Sequence, residues 1–72
     1  MCITELGLGQ EGVITEINTT DVYVHRLMTM GLVEGAEIKH LSSVGGTHEF
    51  KMMGAIIAFT QEQAQHFTVE RT

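Results

Sequence analysis

Apolar residues recur at intervals of three and four residues between positions 20 and 30, and this spacing places side chains on one face of a helix. On a helical wheel, Val24, Leu27 and Met28 cluster as the inner face of that helix. We therefore predict a helix over residues 20–30, with Leu27 and Met28 pointing inward and needed for folding.

The sequence predicts the start of this helix less clearly than its inner face. Residues 22–24 read Val-Tyr-Val and have strand propensity, so a strand is the alternative. The helix is favoured because Thr19 or Thr20 can cap it and because Asp21 suits the positive end of its dipole.

Glycines mark the end of the helix and the turn that follows. Gly31 can take the left-handed conformation, and Leu32 can then fold back onto Leu27 in a Schellman motif. Gly35 stands where a tight turn needs a positive φ before a strand that begins at residues 36–38. The predicted unit is helix, stop, turn and strand.

The remaining chain is rich in short strand patterns separated by turn signals. Strands are predicted over residues 12–17, 36–44, 49–53, 55–59 and 68–70. Gly45 and Gly46 can supply the positive φ values of a hairpin turn, although the loop could be longer than two residues. Alternation fails between Ile38 and Leu41, which predicts a bulge or a sharp bend there. Gly54 permits a further reversal.

Two short helical turns complete the pattern. Residues 4–9 are expected to form a single turn capped by Thr4, and residues 60–63 form a capping box that opens a second turn. The apolar residues expected to point inward from these segments are Ile3, Leu6, Leu8, Ala64 and Phe67.

The predicted fold is mainly β. It is a small SH3-like β-barrel of about five strands, with one helix after the first strand and a short helical turn before the last. We see no linker, repeat or charge block, so residues 1–72 are interpreted as a single domain. A chain of this size buries only about 60% of its unfolded surface, so a binding module is favoured over an enzyme with a deep cleft.

Composition excludes several classes of partner. The formal charge of −5 and four scattered basic residues argue against a nucleic-acid ligand. No signal peptide is evident, and the longest apolar run, at residues 55–59, is too short to span a bilayer. One cysteine cannot form an internal disulfide, which fits a reducing compartment. A cytoplasmic protein without direct membrane insertion is expected.

The four histidines do not have metal-site spacing. His25, His40, His48 and His66 lie in different predicted elements, with no helical i, i+4 pair. If Gly45–Gly46 forms a two-residue turn, His40 faces Lys51 and His48 faces Ser43, so the two histidines are not cross-strand neighbours. Solvated or hydrogen-bonded histidines are therefore predicted, with neither a metal site nor a cofactor.

No set of residues indicates catalysis. The methionines are interpreted as core or interface residues, because flexible thioethers fill irregular spaces. No paired carboxylates, nucleophile–base arrangement or phosphate loop stands out. We predict that the protein is not an enzyme and has no catalytic residues.

The order of these motifs resembles the FeoA family, small cytoplasmic proteins of bacterial ferrous iron uptake with an SH3-like fold. Three segments carry the resemblance over nearly the whole chain: Ile3-Thr4-Glu5-Leu6 with Gly9 and Gly12-Val13-Ile14; the stretch from Arg26 to Ile38; and Ile57 to Ala64 followed by Val69. The chain departs from the family pattern at Glu34, where proline is frequent, at Thr60, where a basic residue is frequent, and in the loop 44–49, which lacks two prolines.

The resemblance implies an accessory protein that binds the cytoplasmic GTP-binding domain of a ferrous iron permease. The alternative is an SH3-like interaction or oligomerisation module related to the C-terminal domain of iron-dependent repressors, and an iron or zinc carrier is a third. The resemblance implies neither activation nor restraint of GTP hydrolysis, and it is compatible with a weak homo-oligomer.

The partner surface is predicted beside the inner face of the helix. Tyr23, Arg26 and Met30 form a neighbouring ridge, and tyrosine and arginine are enriched among binding hot spots. The alternative interpretation is that Met30 covers one end of the barrel and that Arg26 caps a carbonyl or pairs with a glutamate. Residues 44–49 are the next candidate surface.

Overall fold

A computed structural model describes all residues 1–72. After a short 3₁₀ turn at Ile3–Glu5, the elements are β1 (Glu11–Ile17), α1 (Val22–Met28), β2 (Glu37–Val44), β3 (Thr47–Met52), β4 (Ala55–Thr60), α2 (Gln61–Ala64) and β5 (Phe67–Arg71). The predicted number of strands and the positions of α1 and α2 are confirmed. The N-terminal turn, expected over residues 4–9 with Thr4 as its cap, is shifted to Ile3–Glu5, with Cys2 at the cap position and its N–H donating to Glu5 Oε2 at 2.8 Å. The strand alternative for residues 22–24 is wrong.

All strands pair antiparallel in one sheet with the order β4-β3-β2-β1-β5. The sheet is strongly bent but not closed, so β4 and β5 are its edges. Its curvature brings these edges toward one another across the core, where the rings of Phe59 and Phe67 lie 4.8 Å apart. The inner face of the bent sheet is therefore shared by all five strands.

Fourteen buried apolar residues form one core cluster. They are Ile3, Leu6, Ile14, Val24, Leu27, Leu32, Ile38, Phe50, Met52, Ile57, Phe59, Ala64, Phe67 and Val69. Leu27 points inward as predicted, and Met28 is half-buried. Leu8 was expected to cover the core, but that prediction is wrong: it is 64% exposed, in a turn closed by the bond from the Gln10 N–H to the Gly7 carbonyl at 3.0 Å.

The predicted helix stop is confirmed in detail. Gly31 has a φ of 110°, its N–H donates to the Met28 carbonyl at 3.3 Å, and the Leu32 N–H donates to the Leu27 carbonyl at 3.0 Å. This pair of bonds defines a Schellman motif. Gly35 also has a positive φ, of 93°, and β2 begins two residues later.

The N-terminal cap of α1 differs from the prediction. The cap is Asp21, whose Oδ1 accepts the N–H groups of Tyr23 and Val24 at 2.8 and 3.4 Å. Thr19 supports the cap instead, because its hydroxyl accepts the Asp21 N–H at 3.0 Å. A carboxylate accepts these bonds more strongly than a hydroxyl, which explains the choice.

The β2–β3 hairpin has a two-residue turn and an extra residue in β2. Gly45 and Gly46 both have positive φ values, 58° and 79°, and Val44 pairs with Thr47, so the alternative of a longer loop is wrong. Between His40 and Ser42 the register shifts by one residue, which leaves Leu41 as a bulge. The predicted break in alternation is thus confirmed as a β-bulge.

The capping box at the start of α2 is also confirmed. The Thr60 hydroxyl accepts the Gln63 N–H at 3.1 Å, and the Gln63 side chain accepts the Thr60 N–H at 3.0 Å. Both residues predicted to point inward after it, Ala64 and Phe67, are fully buried.

Candidate functional site

The three residues of the predicted ridge, Tyr23, Arg26 and Met30, are all exposed on or just after α1. Met30 is 66% and Tyr23 40% exposed, whereas Val24 and Leu27 on the other side of the helix are buried. The amphipathic pattern therefore puts this ridge, which we call the α1 ridge, at the protein surface.

Tyr23 has a second role that its sequence context did not indicate. Its hydroxyl donates to the Ala58 carbonyl of β4 at 2.9 Å, and its ring packs edge-on against Phe59 with centroids 6.1 Å apart. One face of Tyr23 thus holds α1 against the edge of the sheet. Sequence reasoning missed this contact because the two residues lie 35 positions apart.

Met53 extends the apolar surface around the end of α1. It occupies the β3–β4 turn with a φ of 47°, although it is not a glycine, and it is 85% exposed. Its sulfur would lie 3.9 Å from a Cβ placed on Gly31. The tip of this turn therefore lies next to Gly31, the residue that follows Met30.

The predicted pairing of His48 with Ser43 is confirmed, but that of His40 with Lys51 is wrong, and the two histidine rings are in contact as diagonal neighbours. The bulge at Leu41 places His40 opposite Phe50 instead of Lys51, which turns its ring to the inner face. His48 points to the same face, and His48 Nδ1 lies 3.2 Å from His40 Nε2. Both imidazoles are buried, with 3% and 6% exposure.

The histidine pair is part of a longer hydrogen-bonded chain. His40 Nδ1 lies 2.7 Å from the Leu6 carbonyl, and His48 Nε2 lies 2.6 Å from Gln61 Oε1. Every ring nitrogen therefore has a partner within the protein, and the expectation of hydrogen-bonded histidines is confirmed for these two. The chain of bonds joins the N-terminal turn, the core and the start of α2.

The hydrogen-bond direction at one end of this network follows from its acceptor. The Leu6 carbonyl can only accept, so His40 donates from Nδ1, and a further bond joins His40 Nε2 to His48 Nδ1. The pair is a structural connection within the core.

The remaining candidate ligands do not meet at one point. No group of three or more His, Cys, Asp or Glu side chains is arranged to hold a metal ion. His25 Nε2 lies 3.1 Å from the Thr19 carbonyl, and the half-buried Cys2 thiol contacts Thr4 Oγ1 at 3.2 Å. A polar depression between the start of α1 and α2 contains His66 and Glu62, but the carboxylate of Asp21 there is engaged in capping.

Comparison with known proteins identifies relatives over the whole chain. The FeoA domain family matches residues 1–71. The solution structure of FeoA from Chlorobium tepidum superimposes with a TM-score of 0.90 at 27% identity, covering 99% of this chain and 70% of that protein. Zinc-complexed FeoA from Stenotrophomonas maltophilia, described as a prokaryotic SH3 domain protein, has a TM-score of 0.81 at 24% identity, covering 97% and 89% of the two chains.

The fold is shared with part of a transcription factor. A manganese-dependent transcriptional repressor in complex with manganese gives a TM-score of 0.85 at 16% identity, and the match covers all of this chain and 36% of the repressor. At that identity the likeness concerns the fold alone. No curated protein sequence matches the chain. None of its helices has the length and apolar character required to cross a membrane.

Proposed function

Because the chain belongs to the FeoA family, small SH3-like accessory proteins of ferrous iron transport, we propose that it binds the GTP-binding domain of a ferrous iron permease. The family match over residues 1–71 is the observation that carries this function. Binding to that domain would place the protein in the cytoplasm, with residues 1–72 acting as one domain. The protein would act by binding, without a catalytic step of its own.

The α1 ridge is the proposed contact surface. Arg26 and Met30 are exposed and follow the helix face that packs into the core, so they present a cation and a flexible apolar side chain from a rigid support. Tyr23 contributes the part of its ring that is free of Phe59. Leu27, Met28, Gly31, Leu32 and Gly35 support the ridge by fixing α1 and its stop.

The test is a pull-down of the purified permease domain with the double variant Arg26→Glu, Met30→Ala. We expect at least a tenfold loss of affinity, corresponding to about 1.4 kcal/mol or more for a hot-spot pair. Tyr23 is left unchanged, because a substitution there would also remove its hydrogen bond to Ala58 and could lower stability as well as affinity. Arg71→Glu is the matched control, since it reverses an exposed arginine on β5, away from the ridge.

A melting curve must accompany the binding measurement. Unchanged affinity in a folded double variant would remove the ridge from the interface and direct the search to residues 44–49. Absence of binding by the unaltered chain would reject the permease domain as the partner.

The second candidate is an oligomerisation module in transcriptional control, which the fold shared with the repressor allows without indicating the role. Sedimentation equilibrium separates the two. A stable dimer that persists at micromolar concentration, together with no affinity for the permease domain, would support the module.

A further inference from the structure

The outer edge of β4 carries backbone groups that point away from the sheet. Met52 pairs with Ala55 across the two-residue turn Met53–Gly54. The pair that flanks such a turn exchanges both backbone hydrogen bonds, and bonded pairs then alternate with non-bonded ones. Ile56 and Ala58 occupy the non-bonded positions, so their N–H and C=O groups face outward.

Only one of these outward groups is occupied. The Ala58 carbonyl accepts the Tyr23 hydroxyl at 2.9 Å. The N–H and C=O of Ile56 and the N–H of Ala58 make none of the backbone bonds formed outside the regular elements. Tyr23 therefore limits access at one end of the edge and leaves the end near Ile56 open.

β4 also lacks the features that protect exposed edges. Its sequence, Ala-Ile-Ile-Ala-Phe-Thr, contains no charge and no proline, and its pairing with β3 runs without a bulge. Ile56 is 63% exposed on the outer face. An uncharged and apolar edge without a bulge favours pairing with another extended chain.

The side chains next to β4 on the outer face of the sheet indicate which charge an added strand should carry. Lys51 lies between Ile56 of β4 and Lys39 of β2. Two of the four basic residues thus lie directly opposite each other, which is unfavourable, and only Lys39 has an acidic residue, Glu11, on its other side. A carboxylate arriving beside Ile56 would be within reach of the Lys51 ammonium.

We infer that the open end of the β4 edge binds an extended peptide segment of a protein partner as an additional strand. The segment carries an apolar side chain beside Ile56 and an acidic side chain on the same face, directed at Lys51. A second copy of this chain fits less well, because its own β4 has no carboxylate to offer. Binding of this kind does not require the permease domain to be the partner.

The experiment measures amide hydrogen exchange by NMR on the whole chain, with two synthetic peptides as probes. One reads Thr-Glu-Thr-Val-Thr-Glu-Thr, and the matched control has lysine in place of both glutamates. We expect the acidic peptide to slow exchange at Ile56 at least tenfold at saturation, with a smaller effect at Ala58 beside Tyr23, and to bind at least fivefold more tightly than the lysine peptide.

Two variants test the backbone and the charge separately. Ile56→Pro removes an outward N–H without removing a bond to β3, so the sheet should persist and peptide binding should be lost. Ile56→Thr keeps the N–H and should retain protection. Lys51→Gln should reduce the difference between the two peptides.

Several results would overturn the inference. They are no slowing at Ile56 and Ala58 in the unaltered chain at millimolar acidic peptide, equal binding of the lysine peptide, and protection that rises with protein concentration in the absence of peptide. The last result would identify a second copy as the occupant. The measurement on the unaltered chain decides the outcome even if Ile56→Pro fails to fold.

Discussion

The two edges of the sheet are protected in different ways. At β5 the N-terminal residues add a short extended segment: the Met1 amino group donates to the Val69 carbonyl at 3.0 Å, and the Val69 N–H donates to the Met1 carbonyl at 2.7 Å. At β4 a single side chain, Tyr23, bonds one carbonyl. Main-chain pairing satisfies donors and acceptors together, whereas a side chain satisfies one group, so β5 is covered and β4 is partly open.

The largest expected effect comes from the residue that anchors the covered edge. Ile3 is fully buried directly after the segment that pairs with β5, so Ile3→Ala should reduce the free energy of unfolding by about 2–5 kcal/mol. Ile56→Ala, at the open edge, should change it by no more than about 0.5 kcal/mol. Urea denaturation checks both. Similar losses for the two variants would show that β4 is covered in solution.

The β1–β5 ladder supplies the next effect. A Cβ on Gly12 would lie 2.9 Å from the Glu70 carbonyl oxygen, a backbone atom that cannot move alone. We expect Gly12→Ala to cost about 1–3 kcal/mol by pushing the strands apart. Gly7→Ala is the control, because its Cβ would meet the flexible Gln10 side chain at 3.2 Å. A Gly12→Ala protein with unchanged stability and slow exchange in β5 would contradict the tight packing of this edge.

Gly31 controls the helix that carries Tyr23 to β4. A Cβ there would meet only the Met53 sulfur, at 3.9 Å, so the cost of substitution lies in the backbone conformation. Gly31→Ala should destabilise by about 1 kcal/mol, and Gly31→Val by more, because β-branched residues avoid positive φ. Thermal melting provides the measurement. An unchanged melting temperature for Gly31→Val would be incompatible with the Schellman stop.

The smallest expected effect concerns the hydroxyl that partly covers β4. Tyr23→Phe keeps the ring against Phe59 and removes the bond to Ala58, which should cost about 0.5 kcal/mol, the low end for a hydrogen bond at an exposed site. Peptide protection of the Ala58 amide should improve in this variant, because access to the edge widens. Weaker protection would mean that Tyr23 assists the incoming strand instead of limiting it.

Local signals made much of the fold predictable. The Schellman stop, the Gly45–Gly46 turn and the capping box at Thr60 each depend on residues within a few positions of one another. Position-specific φ requirements and side-chain caps act over that range, so they can be recognised without knowledge of the tertiary structure.

The candidate site was only partly predictable. The exposure of Arg26 and Met30 follows from the helical period. Both residues lie off the face that buries Val24 and Leu27. The open edge did not follow, because a strand pattern does not show whether its outer backbone groups have partners. The contact of Tyr23 with Ala58 likewise required the path of β4 past α1.

The sequence alone determined most of the turns and most of the residues that face the core, since turns and alternation are local properties. Tertiary structure decided the register and the neighbours. The bulge at Leu41 shifts the pairing of β2 by one residue, and in a strand a shift of one residue moves a side chain to the opposite face. For that reason His40 lies inside against His48, and only packing of the whole sheet could place it there.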